Sequence, residues 1–213
     1  MLKLGVFVSG SGSNFQSILD AIDSKILGCT VEVVISDNPK AKALKRAEEK
    51  GIRTFIIDKK NLKGSFGDKA LELIGDKLDL LVLAGFLSIL KGDILKVYKN
   101  KIINIHPSLI PKYCGKGMYG LKVHEAVLKN NEKLTGCTVH FVNEIVDGGD
   151  IICQSKVKTD GISSPEELQK RVLIEEHKLL VKVIRLIEEN RLCLTPWGIK
   201  ILEEVKSNET STY

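Results

Sequence analysis

The first hundred residues alternate between two kinds of pattern. Short, almost unbroken apolar runs recur at 3–8, 31–36, 53–57, 80–84 and 102–105. Between them lie stretches at 14–23, 41–50, 66–77 and 92–98 whose apolar residues return at helical spacing. A run such as Leu80-Leu-Val-Leu-Ala84 has no polar face, which fits a strand covered on both sides in a parallel sheet. Strand and helix in turn, with short Gly- or Asn-containing joins, predict a Rossmann-like α/β half.

After Pro111 the pattern changes. Lys112-Tyr-Cys-Gly-Lys-Gly-Met-Tyr-Gly120 is glycine-rich and predicted to be a mobile loop, followed by a short helix over 123–130. Two strands are expected at 135–143 and 150–158, joined by Glu144-Ile-Val-Asp-Gly-Gly149. Ser164-Pro165-Glu166-Glu167 is a strong helix start, with Ser as cap, Pro in the first turn and Glu three residues on. That helix should run to about Asn190, with Leu168, Val172, Leu179, Val183 and Ile187 on one face. Residues 203–213 are polar and read as a frayed tail. With no repeat and no linker, one domain over 1–202 is expected. Its fold class is α/β, a mostly parallel central sheet with helices on both faces and antiparallel strands toward the C-terminal half.

Composition narrows the function classes. A chain of 213 residues, 43% hydrophobic, suffices for one well-buried domain. Its N-terminus reads as a first strand rather than a targeting segment, and no stretch approaches the ~20 apolar residues of a membrane span. A cytoplasmic protein with no membrane partner is expected. Five dispersed cysteines without ligand spacing point to reduced thiols and no metal. The net charge of +5 is spread along the chain and only 5% of residues are aromatic, so no nucleic-acid-binding stripe emerges. A modest positive field suits small anionic substrates.

Three segments carry candidate chemistry. Asn104-Ile-His106-Pro107 ends an apolar run, and its amide and imidazole, one strand period apart, should point the same way. Pro107 stops further pairing where the polar pair appears. Ser9-Gly-Ser-Gly-Ser-Asn14 joins the first strand to the first helix, where backbone N–H groups can meet a phosphate. The third Gly of a dinucleotide fingerprint is missing at Phe15, so a single phosphate held by Gly12, Ser13 and Asn14 is expected, although Asp37 sits where a ribose-binding acid would. Asp147-Gly148-Gly149-Asp150 is either a hairpin turn or a ligand loop. Asp147 matters if it reaches His106, because a carboxylate beside an imidazole raises its pKa. Among the other histidines, His124 reads as a capping or surface residue, His140 as site-lining or simply buried, and His177 as a neutral helix-face residue.

In order along residues 3–195, five motifs resemble those of phosphoribosylglycinamide formyltransferases, the folate-dependent enzymes of purine biosynthesis. They are the loop Ser9–Asn14, Leu83-Ala-Gly-Phe-Leu-Ser-Ile-Leu90, Asn104-Ile-His-Pro-Ser-Leu-Ile-Pro-Lys112, Thr138-Val-His-Phe-Val142 and Asp147-Gly-Gly149. The resemblance implies the formyltransferase fold and a catalytic triad of Asn104, His106 and Asp147. It also implies phosphate binding by Gly12, Ser13 and Asn14. Folate would lie against Leu87, Ser88, Ile89, Leu90, Asn104, Val142 and Asp147, with Lys63 near its tail, and Glu176 would face the substrate amine. Ser88 stands where some relatives have Arg. The implied co-substrates are 10-formyltetrahydrofolate and glycinamide ribonucleotide, used without a metal by a monomer or homodimer. The alternatives are a formyltetrahydrofolate deformylase, whose relatives carry an extra N-terminal domain, and a methionyl-tRNA formyltransferase, which would need a C-terminal RNA-binding domain. From another class comes a nicotinamide-dependent Rossmann oxidoreductase.

Overall fold

A computed structural model describes residues 1–60, 62 and 64–203. The expected Lys63 contact, and nearly all of the expected tail at 203–213, lie outside the described residues. A seven-stranded sheet is ordered β3-β2-β1-β4-β5-β6-β7. Its strands are β1 (Lys3–Val8), β2 (Thr30–Ser36), β3 (Arg53–Ile56), β4 (Leu80–Leu83), β5 (Ile102–His106), β6 (Leu134–Phe141) and β7 (Ile151–Lys158). The first five run parallel, and β6 and β7 are antiparallel. This is the mostly parallel sheet with a late antiparallel pair that the pattern predicts.

The parallel strands β1, β2, β4 and β5 feed both faces, as their largely apolar runs require. Leu80, Val82 and Ala84 enter one core with α1 (Ser13–Asp23), α2 (Lys42–Glu49), α5 (Leu121–Lys129) and α6 (Pro165–Glu188). Leu81 and Leu83 enter the other, with α3 (Phe66–Ile74) and α4 (Ile94–Val97). The start of α6 is built as expected: the Ser164 hydroxyl accepts from the Glu167 N–H at 3.2 Å, with Pro165 in the first turn.

Three expectations need adjustment. The helix over 66–77 stops at Ile74 because Gly75 takes φ +62°. The stretch at 92–98 forms a single turn, α4. A small hairpin of β8 (Leu192–Thr195) and β9 (Gly198–Ile201) was not anticipated, since two four-residue strands bury too little to leave an alternating signature. No helix among the described residues is long and apolar enough to cross a membrane.

Candidate active site

The carboxyl ends of the parallel strands open onto a cavity of about 600 Å³. It lies where strand order reverses around β1, the usual ligand position in such sheets. On one side the Ser9–Asn14 loop turns into α1. Gly12 takes φ +73°, and a Cβ there would lie 2.6 Å from the Ala43 Cβ on α2, so only glycine fits. The Gln16 N–H bonds the Gly12 carbonyl at 2.8 Å, which leaves the earlier N–H groups of α1 without helical partners. Arg46 braces the loop from behind, donating from Nε to the Ser11 carbonyl at 3.1 Å.

Asn14 is held from within the fold: its side chain is buried and donates from Nδ2 to Glu176 Oε2 at 2.7 Å, while its backbone N–H lies at the start of α1. Glu176, expected at the amine, therefore ties α6 to the loop from inside the cavity. Burial pushes its pKa up to about 7, with the Asn14 bond pulling the other way.

Beside this loop, residues 85–90 follow β4 and line the cavity. The Leu87 N–H donates to Ser9 Oγ at 2.8 Å, so the two loops are joined. The Ser88 hydroxyl is turned away to the fully buried Asp37, whose carboxylate also meets Lys59 Nζ at 3.6 Å. Asp37 thus anchors this segment instead of serving a ribose, and Ser88 is left to contribute backbone to the wall. Leu87 and Ile89 are exposed; both, with Leu90 and Val142, line the cavity.

The ends of β5, β6 and β7 bring the catalytic candidates together. Asn104 and His106 both line the cavity, as the strand period requires. The loop after β6 holds Asp147 at φ +55°. Its Oδ2 accepts from the Gly115 N–H at 2.8 Å and lies 3.6 Å from His106 Nδ1. Gly149 closes this loop, because a Cβ there would overlap the Phe141 carbonyl. The segment connects β6 to β7 and also lines the cavity.

His140 is both buried and on the cavity wall. It faces Asn104 across β5 and β6. Its Nδ1 lies 2.7 Å from the Phe141 carbonyl and its Nε2 3.1 Å from Asn104 Nδ2. With Nδ1 donating to the carbonyl, Nε2 accepts from one Asn104 N–H and leaves the second free. Asp147 Oδ1 lies 3.6 Å from the same Nε2, too far for a direct bond.

His106 departs from the expected electrostatics. Burial dominates and lowers its pKa, although Asp147 and the Tyr113 carbonyl act to raise it. Its Nε2 lies 2.9 Å from that carbonyl, so Nε2 carries the hydrogen and Nδ1 faces Asp147. The Asp147 carboxyl is itself held below the usual range: burial would raise it, but His140, His106 and the Gly115 N–H together outweigh burial. His124 was expected at a cap or on the surface. It is instead buried in α5 and lines the cavity, its pKa pushed down to about 4, first by burial and then by His106. The half-buried His177 has its pKa lowered by burial and stays a neutral helix residue.

Residues 2–184 match the Formyl transferase family. The chain is 38% identical over 216 residues to the chloroplastic phosphoribosylglycinamide formyltransferase of Arabidopsis thaliana, covering 99% of this chain and 73% of the relative. It is 37% identical to the phosphoribosylglycinamide formyltransferase of Haemophilus influenzae, covering 91% of each chain. The crystal structure of glycinamide ribonucleotide transformylase 1 from Symbiobacterium toebii superposes with a TM-score of 0.86 at 36% identity, covering 95% of each chain. A formyltetrahydrofolate deformylase from Pseudomonas syringae shares the fold with a TM-score of 0.84 at 24% identity, over 95% of this chain and 66% of that one.

Proposed function

The chain belongs to the formyl transferase family, and from that premise we propose that it transfers the formyl group of 10-formyltetrahydrofolate to the amine of glycinamide ribonucleotide. The products are formylglycinamide ribonucleotide and tetrahydrofolate, a step of purine biosynthesis. One observation carries the reading: Asn104, His106 and Asp147 converge on a cavity that also opens onto the N-terminus of α1. A polar amide–imidazole–carboxylate group and a helix N-terminus thereby share one chamber. Relatives named for this activity, matched over nearly their full length, support it. We read residues 1–202 as one catalytic unit, since β1, β4, β6 and α6 all contribute to the same core.

Formyl transfer requires an amine to attack a carbonyl carbon and an oxyanion to survive until nitrogen leaves. The phosphate, at the N–H groups of Ser13 and Asn14, and the pterin, against 87–90 and Val142, would align amine and formyl carbon. As the new C–N bond forms, the carbonyl π pair moves to oxygen, where the free Asn104 N–H would donate to it. The amine gives its proton to His106 Nδ1, and the imidazolium so formed faces Asp147. Collapse breaks the bond to the folate nitrogen, which takes the proton from Nδ1. This reassigns His106 from a charged donor to a neutral base, in line with its lowered pKa.

Substitution tests the assignment. His106→Ala and Asp147→Asn should each cut kcat by about 10²–10⁴-fold while thermal melts stay cooperative. Near-wild-type turnover in either would remove that residue from the mechanism.

A further inference from the structure

The cavity wall has a charge imbalance that the substrates would aggravate. Three carboxyl-bearing side chains line it: Glu144, Asp147 and Glu176. Among the described residues, Lys116 is the one lysine or arginine on that wall. If the proposed function holds, a phosphate dianion must nevertheless bind there. The N-terminus of α1 presents roughly half a positive charge, and the Ser11 and Ser13 hydroxyls add none. Arg46 is near but already engaged behind the loop, bonded to the Ser11 carbonyl and, at 2.6 Å, to Gln16 Oε1. Lys59 sits on the far side, against Asp37.

Lys116 is placed to supply the missing charge. It is exposed and takes part in none of the ion pairs found among the described residues. Its neighbour Gly115 is pinned to Asp147, and five residues on the chain enters α5. Both α5 and α1 pack against α6, whose cavity-lining residues Gln169, Leu173 and Glu176 share one face at helical spacing and include no cation. The end of the cavity beside α1 is therefore bounded by α1, this face of α6 and the segment leading into α5. Residues 87–90 follow β4 and are held to the α1 loop at Ser9. A four-carbon stem with an ammonium head spans several ångströms and needs no fixed fork to meet a phosphate.

We propose that Lys116 is the cation that pairs with the ribonucleotide phosphate and makes the enzyme prefer a phosphorylated acceptor. Glycinamide ribonucleotide and its dephosphorylated riboside separate this role from any other. In Lys116→Ala, the KM for the ribonucleotide should rise about 10–100-fold, the span of a lost charge-assisted bond. Its kcat and the KM for the folate should stay within about twofold on the same scale. With the riboside, kcat/KM should be equal in wild type and variant. Lys116→Arg should restore most of the loss, and raised salt should weaken ribonucleotide binding less in the alanine variant than in wild type. The residue is exposed, so matching thermal melts are expected and will show that the variant folds.

An unchanged ribonucleotide KM, an equal loss with both acceptors, or a loss confined to the folate KM would each overturn the proposal. The last result would assign Lys116 to the folate carboxylates. Failure of the wild-type protein to formylate the ribonucleotide would instead overturn the function on which the proposal rests.

Discussion

Replacing Glu176 with Gln removes a titrating group from the interior, and the structure fixes the sign and size of the effect. Burial moves this carboxyl from 4.5 to about 7. Between those values the folded chain keeps a proton that the unfolded chain has released, so stability must fall as pH rises. A gap of about 2.5 pK units at ~1.4 kcal/mol each corresponds to about 3.5 kcal/mol, present in full below pH 4.5 and lost above about pH 7. A Gln side chain still offers an oxygen to the Asn14 amide and carries no charge at any pH. Urea unfolding of both proteins at about pH 5.5, 7 and 8.5 reads the difference directly. The wild-type midpoint should drop relative to that of Glu176→Gln as pH rises, leaving the variant the more stable at the alkaline end. Parallel curves, or a variant less stable than wild type at about pH 8.5, would refute the argument that the buried carboxyl carries this cost.

Three further outcomes are expected. By NMR the His106 imidazole should titrate below 6.5, since burial lowers its pKa, and the neutral, active form should be lost as pH falls through that midpoint; a midpoint above 6.5 would restore the charged-donor role. His140→Ala releases the Asn104 amide, so kcat should fall about 10–100-fold with both KM values little changed; an unchanged kcat would mean that Asn104 needs no such support. Gly149→Ala forces a methyl into the Phe141 carbonyl, which should cost about 1–3 kcal/mol by chemical denaturation and lower kcat by shifting Asp147. Wild-type stability and rate would show that the loop relaxes without moving the carboxylate.

The parallel half of the fold is legible because its inner strands are apolar on both faces, which leaves uninterrupted runs such as Leu80–Leu83. The pairing of Asn104 with His106 was legible because it depends only on strand period. What stayed hidden depends on contacts between distant positions. Asn14 and Glu176 are 162 residues apart, and each looked like a separate ligand contact until the structure joined them. His140 lies opposite Asn104 only through the antiparallel register of β5 and β6, which no local pattern encodes. The direction of the His106 shift is hidden for a related reason: the sequence displays the neighbouring carboxylate but not the burial that outweighs it. The burial of His124 is hidden from the sequence in the same way.

The central claim is that this cavity delivers a formyl group to an amine and not to water. The direct test follows 10-formyltetrahydrofolate by absorbance in the presence of the protein, first without and then with glycinamide ribonucleotide. Conversion should be negligible alone, with rapid production of tetrahydrofolate once the ribonucleotide is added, one equivalent for each acceptor formylated. Turnover at the same rate without the ribonucleotide would contradict it and identify a deformylase.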